Sequence, residues 1–356
     1  MKKFYISFVC VILINLILLF IGEIKGNKIV SKTNSGIKVG LVFDVGGRGD
    51  KSFNDSAYNG LMKAAKDFGI NYEYIEPGEG ADRESALRIL AARKFDLIVG
   101  IGFIFTDDVT NIAKEYTNVK FACVDYARGE DIPANVAGLK FKEEEGSYLV
   151  GAIAALCSKT NTVGFVGGMD IPLIRKFEAG YTAGAEAVKP GIKILSNYAG
   201  VTGAAFKDPA KGKELSLSQY NNSADIIFHA SGSTGLGVFE AARGLNESGF
   251  KDKKENYTKF AIGVDANQYF EAPGSILTSM LKKVDVAVYD IIKDCVENKF
   301  QGGQKLLGLK EDGVGFVYDE YNKYLISAQV YNKVMELRQN IIDGKISVPS
   351  TMDFKK

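Results

Sequence analysis

The chain has one histidine, His229, and no tryptophan among its 356 residues. Triad hydrolases and imidazole-based metal sites would have to be built around that single ring, which argues against both classes. His229 lies in an apolar run and reads as a packed strand residue. The four cysteines, Cys10, Cys123, Cys157 and Cys295, stand far apart. No CxxC redox or metal-ligand pair is therefore available, and no metal or cofactor is expected. A surplus of one charge sign is also missing. Forty-four basic residues face 43 acidic ones, a net charge of +1, so no global field points to nucleic acid. No repeat of 20–50 residues and no low-complexity tract breaks the chain.

What is present is an ordinary globular composition, 46% hydrophobic and 24% charged. The length suffices for two lobes that each bury a core. Before them stands a basic start, Met1-Lys2-Lys3, and an apolar run, Phe4–Gly22, interrupted by Ser7 and Asn15. Residues 1–22 read as a signal peptide or N-terminal anchor, and 23–36 as a linker. Export to the membrane surface or periplasm is the expected localisation. Cys10 lies inside the run after Val9 and makes a poor lipidation site.

From Ile37 onward, short β-rich runs alternate with amphipathic periods. "IKVGLVFD", "FDLIVGIG" and "VKFACVD" read as buried strands, with helices such as "SAYNGLMKAAKDFG" between them. The same rhythm restarts at "EEEGSYLVGAIAALCSK". Continuous apolar strands between helices predict parallel sheets covered on both faces. The expected fold class is α/β, with two Rossmann-like lobes.

Ligands of open parallel sheets bind beyond the carboxyl ends of the strands. Those ends carry Asp44, Asp125, Asp170, Phe206, the run "SGSTGLG", Asp265 and Lys282. Taken singly, each has a plain structural explanation as a cap, turn, core or surface residue. Together they suggest a ligand. Asp265 and Lys282 offer an acceptor and a donor suited to vicinal hydroxyls. Phe53 and Phe206, one from each half, could clamp a flat ring. Asn54 offers the donor–acceptor pairing that reads a purine edge. The turn "GGRGDKSFN" puts an aromatic and an amide where a phosphate loop needs bare backbone and a lysine.

The stretches "VGLVFDVGGRGDKSFNDSAYNG", "GFVGGMDIPLIRKFEAGYTAGAEAV", "GLGVFEAARG", "AIGVDANQ" and "TSMLKKVDVAVYD" resemble the basic membrane protein family of substrate-binding lipoproteins, the purine nucleoside receptor type. The resemblance runs from about Ile37 to Pro349. It implies the type I periplasmic-binding-protein fold, two lobes joined by three crossovers that close on a ligand. The implied lobes are 37–141 plus 282–306 and 142–281 plus 307–356. By the same resemblance Phe53 and Phe206 stack on the base, and Asn54 and Asp125 read its edge. Asp265, Lys282 and the backbone of Gly232 hold the ribose, and Asp44 lies beside base or ribose. The family's lipidation cysteine has no recognisable counterpart here.

The expectation is thus a non-enzymatic, monomeric, extracytoplasmic binding protein. It would capture a purine nucleoside (guanosine, adenosine or inosine) for the permease of an ABC transporter, held at the membrane by its N-terminal segment or a lipid. No nucleic acid partner is expected. The competing readings are a binding protein of the same fold for a sugar or other small signalling molecule, and an enzyme such as a nucleosidase or dinucleotide-dependent reductase. "DVGGRGD" has the wrong spacing for the dinucleotide turn of the latter. An adhesin role suggested by "RGD", Arg48–Asp50, is the remaining alternative.

Overall fold

The computed structural model describes residues 35–77, 82–249 and 258–351. The expected leader and most of the expected linker lie outside the described residues. The described chain builds two six-stranded sheets. The first contains β1 (Lys38–Val42), β2 (Asn71–Ile75), β3 (Leu97–Ile101), β4 (Lys120–Val124), β5 (Val136–Phe141) and β11 (Gly303–Leu307). Its order is β11-β5-β4-β3-β1-β2, and every pairing is parallel. The second contains β6 (Thr162–Met169), β7 (Lys193–Gly200), β8 (Ile226–Ala230), β9 (Phe260–Asp265), β10 (Ile276–Lys282) and β12 (Val314–Phe316). Its order is β12-β10-β9-β8-β6-β7, parallel except for β12 against β10. This is the type I periplasmic-binding fold.

Central strands are buried along their whole length, as "LIVGI" in β3 and "IIFHA" in β8 illustrate. That burial is what parallel sheets with helices on both faces produce. Helices α1 (Phe53–Phe68), α2 (Asp82–Ala92), α3 (Thr106–Glu115) and α8 (Val284–Val296) accompany the first sheet. The second has α4 (Glu143–Cys157), α5 (Pro172–Val188), α6 (Pro209–Asn221), α7 (Gly235–Glu247) and α9 (Ala328–Ile342). Helices α4 and α5 approach so closely that a Cβ at Gly151, Gly180 or Gly184 would lie within 2.1 Å of a carbonyl on the facing helix. The glycines of "EAGYTAGAEAV" thus set an interhelical distance.

Three segments carry the chain between the sheets: from β5 into α4, from β10 into α8, and from β11 into β12. Strands β5, β11 and β12 have no counterpart in the sequence reading. Edge strand β11 alternates half-buried and exposed residues, and β12 is three residues long, so neither gives an apolar run. The last helix starts at Ala328, where the Ser327 side chain caps it through the Val330 N–H.

Candidate ligand-binding cleft

All eight residues expected at a site, Asp44, Phe53, Asn54, Asp125, Phe206, Gly232, Asp265 and Lys282, line one cavity between the sheets. The parallel strands explain the convergence. Asp44 follows β1, Asp125 follows β4, Asp265 ends β9 and Lys282 ends β10, so all four stand at carboxyl ends. Asp125 and Asp265 adopt left-handed backbone, φ 61° and 65°, which aspartate tolerates better than most residues.

The turn before α1 is organised by Asp50, which the sequence reading left as part of "RGD". Its carboxylate accepts bonds from the N–H groups of Ser52, Asn54 and Asp55 at 2.8–3.1 Å, and from Asn54 Nδ2 at 3.0 Å. A capping aspartate three residues ahead of its helix was the available signal. Asp50 is buried, and Arg48 lies over the Tyr58 ring and pairs with Asp55. Of the tripeptide only Asp50 is buried; Arg48 and Gly49 are exposed. Asn54 also accepts from Asp44 N–H at 3.1 Å. One N–H and one lone pair of its amide remain for a ligand.

Lys282 is the charged centre. Its Nζ lies 2.6 Å from Asp125 Oδ1 and 3.1 Å from Glu143 Oε1. The rings of Phe53, Phe141 and Phe177 surround it at 5.1–5.7 Å. Burial works against the ammonium, but Asp125, Glu143 and Asp265 outweigh it and hold its pKa above the usual range. Two of its three N–H groups face carboxylates, which leaves the third for a ligand. Glu143 escaped the sequence reading. It is one of three consecutive glutamates, and nothing local marks it as the buried one.

On the other wall, Asp265 Oδ2 accepts a 2.5 Å bond from Ser52 Oγ, a residue of the opposite lobe. Burial, opposed by Lys282 and Ser52, pushes the Asp265 carboxyl up to about 7. Burial likewise raises Asp44 to about 7, although its Oδ1 accepts from Val45 N–H. Phe206 packs against β6, where a Cβ at Gly168 would come within 2.2 Å of its ring. Its backbone carbonyl accepts from Ser233 Oγ at 3.0 Å, next to Gly232, whose φ of 57° turns the chain toward the cavity. Apolar lining from Phe103, Leu173, Ile174 and Phe177 was also missed, because such residues look like core in sequence. Asp170, by contrast, pairs with Arg175 at the surface and takes no part. His229 is fully buried in β8, as expected of a packed strand residue, and burial lowers its pKa to about 4.

This arrangement, two α/β lobes with strand-end carboxylates, an ammonium and aromatics around one cleft, has a counterpart among known proteins. The family of PnrA-like substrate-binding proteins of ABC transporters matches residues 37–352. The chain belongs to that family. A "CD4+ T-cell-stimulating antigen" of Listeria monocytogenes is 38% identical, with 89% of each chain covered. The "ABC transporter nucleoside-binding protein BmpA" of Lactococcus lactis is 34% identical over 90% of this chain and 91% of its own. Among solved structures, an ABC transporter solute-binding protein from Aeropyrum pernix superposes with a TM-score of 0.80 at 32% identity, covering 89% of this chain and 94% of that one. This member of the basic membrane protein family is therefore a substrate-binding component of an ABC transporter, not an enzyme.

Proposed function

We propose that the protein captures purine nucleosides in the cleft and delivers them to its transporter's permease as an exported monomer, with the N-terminal segment or a lipid holding it at the membrane. The observation that carries this reading is the lining of the cavity. An aromatic from each lobe, Phe53 and Phe206, shares it with a buried acceptor and a buried donor, Asp265 and Lys282. A flat heterocycle bearing a diol meets both demands at once. Buried polar groups without partners cost about 1–3 kcal/mol each, so a base without its sugar, or a sugar without its base, satisfies only half the site. The name of the Lactococcus lactis relative supports the same ligand class.

The test is isothermal titration of the purified protein, unfolded and refolded to remove carried-over ligand, with guanosine, adenosine, inosine, cytidine and ribose. Micromolar or tighter binding confined to the purine nucleosides is expected. Binding of ribose alone would replace this reading with a sugar receptor. Asp265→Ala is expected to weaken nucleoside binding at least tenfold, and an unchanged Kd would remove Asp265 from the site.

A further inference from the structure

The buried histidine belongs to a chain of hydrogen bonds that leaves one lobe and ends in the other. Gln268, 2% exposed, lies across β9 on Gly263, where a Cβ would come within 2.7 Å of its Oε1. That oxygen accepts from Val264 N–H at 2.8 Å and faces His229 Nε2 at 3.2 Å. The backbone N–H can only donate, so the orientation of the amide is fixed. Two consequences follow. His229 must carry its proton on Nε2, which makes Nδ1 an acceptor for Ser231 Oγ at 3.3 Å. Gln268 Nε2 must point outward, and it donates at 3.1 Å to the carbonyl of Lys51 in the opposite lobe.

Both ends of this chain meet the cleft. Ser231 lines the cavity, and Lys51, itself at φ 55°, stands two residues before Phe53. The same segments also meet through Ser52 Oγ, which lies 2.5 Å from Oδ2 of Asp265, a residue the ligand is proposed to engage, and 3.3 Å from the Val264 carbonyl. Gln268 does not line the cavity. We propose that Gln268, oriented by Val264 and His229, is a positioning residue that holds the Lys51–Phe53 turn in its closed place and so sets how long the ligand is retained. This rests on the cleft being the capture site. Opening the lobes breaks the Lys51 bond while leaving the bonds to Val264 and His229 intact. The contribution of Gln268 therefore belongs to the closed state alone.

The experiment measures association and dissociation rates of guanosine by stopped flow for the wild type, Gln268→Glu, Gln268→Met and His229→Phe. Glutamate keeps the acceptor for Val264 and His229 but has nothing to donate to Lys51. Its dissociation rate is expected to rise about tenfold with association within twofold. Methionine keeps the volume and should show the same split if the glutamate variant folds poorly. His229→Phe frees the amide to turn and should show a smaller rise in the same rate. In parallel, spin labels at the exposed positions Lys66 and Glu186 report the distance between the lobes without ligand. The ratio of closed to open molecules is expected to fall about tenfold in Gln268→Glu. Absence of guanosine binding in the wild type would defeat the nucleoside reading, and the spin-label distances would still decide the role of Gln268. A lowered melting temperature with unchanged dissociation rate and unchanged distances would overturn the positioning role.

Discussion

Asp125 and Asp265 occupy the same place in the two lobes. Each stands at the end of the strand third from one edge of its sheet, and each is left-handed, φ 61° and 65°. The neighbouring strands repeat the likeness. The ends of β3 and β8 run through Gly102 and Gly232, both with positive φ, and short 3₁₀ turns into a helix. The backbone device is duplicated, yet the carboxylates live in different surroundings. Asp125 meets the ammonium of Lys282, beside Glu143, where the chain crosses between the sheets. Asp265 accepts its hydrogen bond from a hydroxyl, Ser52, offered by the other lobe, and feels Lys282 only through space. The first carboxylate belongs to a permanent charge network. The second holds a partner of the same chemistry as a sugar hydroxyl, the group that the proposed ligand would bring to it.

The largest expected effect comes from breaking the first of these sites. Lys282→Met leaves Asp125 buried without its ion-pair partner, while Glu143 keeps Lys176 at 3.2 Å; orphaning the one carboxylate costs about 3–5 kcal/mol. For a chain of this size the melting midpoint should drop by about 4–7 °C. Adding Asp125→Asn should recover part of the loss by removing the orphaned charge. A midpoint within 2 °C of the wild type would show that the network contributes nothing. Asp265→Asn, at the matching place in the other lobe, should leave the midpoint nearly unchanged at neutral pH.

Titration separates the two carboxylates next. In the folded protein Asp44 and Asp265 sit at about 7, against 3.8 for an ordinary aspartate. From about pH 4 to pH 7 the native state therefore holds protons that the unfolded chain has released. The ligand-free protein loses stability as pH rises through that window, by up to about 1.4 kcal/mol per unit for each carboxyl. His229, lowered from 6.5 to about 4, works in the opposite sense and cancels one of the two below pH 6.5. Denaturant unfolding at pH 5, 6 and 7 should show the decline, and Asp265→Asn should flatten it by one proton. Nucleoside affinity should change the other way. The ionised carboxylate accepts both hydroxyls, so binding strengthens up to about pH 7 and then levels off. A Kd independent of pH between 5.5 and 7.5 would show that ligand does not draw on the Asp265 carboxylate.

How far the sequence reaches follows from the same residues. The alternation of apolar runs and amphipathic periods announced two parallel sheets, and the strand-end rule picked out Asp44, Asp125, Asp265 and Lys282 before any coordinates. All of them meet at one cavity. The same rule picked out Phe206 beyond β7, although its 3₁₀ turn has no periodicity of its own, and Asp170, which stays outside the cavity. Glu143 and Gln268 were invisible to that rule. Each acts through a partner more than a hundred residues away in sequence, Lys282 for one and Lys51 for the other. No local pattern distinguishes a glutamate that will face a buried lysine from its two exposed-looking neighbours. The short strands β11 and β12 were lost because edge strands need no continuous apolar run.

The smallest expected effect tests whether the aromatic walls are as unlike as the carboxylates. In the first lobe, alanine at Gly102 would meet Asp44 Oδ2 at 2.2 Å on a backbone with φ 113°, so both strain and collision count against folding. In the second, alanine at Gly168 has ordinary backbone, and its methyl would first meet the Phe206 ring, at the same 2.2 Å. A ring edge can turn aside where a backbone cannot. Gly168→Ala should therefore leave the melting midpoint within about 3 °C while displacing the wall. Stacking of a base on an aromatic is worth about 1–3 kcal/mol, so partial loss should weaken guanosine binding about three- to tenfold. If the effect runs through Phe206, the double variant Gly168→Ala/Phe206→Ala should bind no worse than Phe206→Ala alone, because the two changes remove one interaction. Additive losses would mean that Gly168 shapes the cavity by another route and that the stacking wall lies elsewhere.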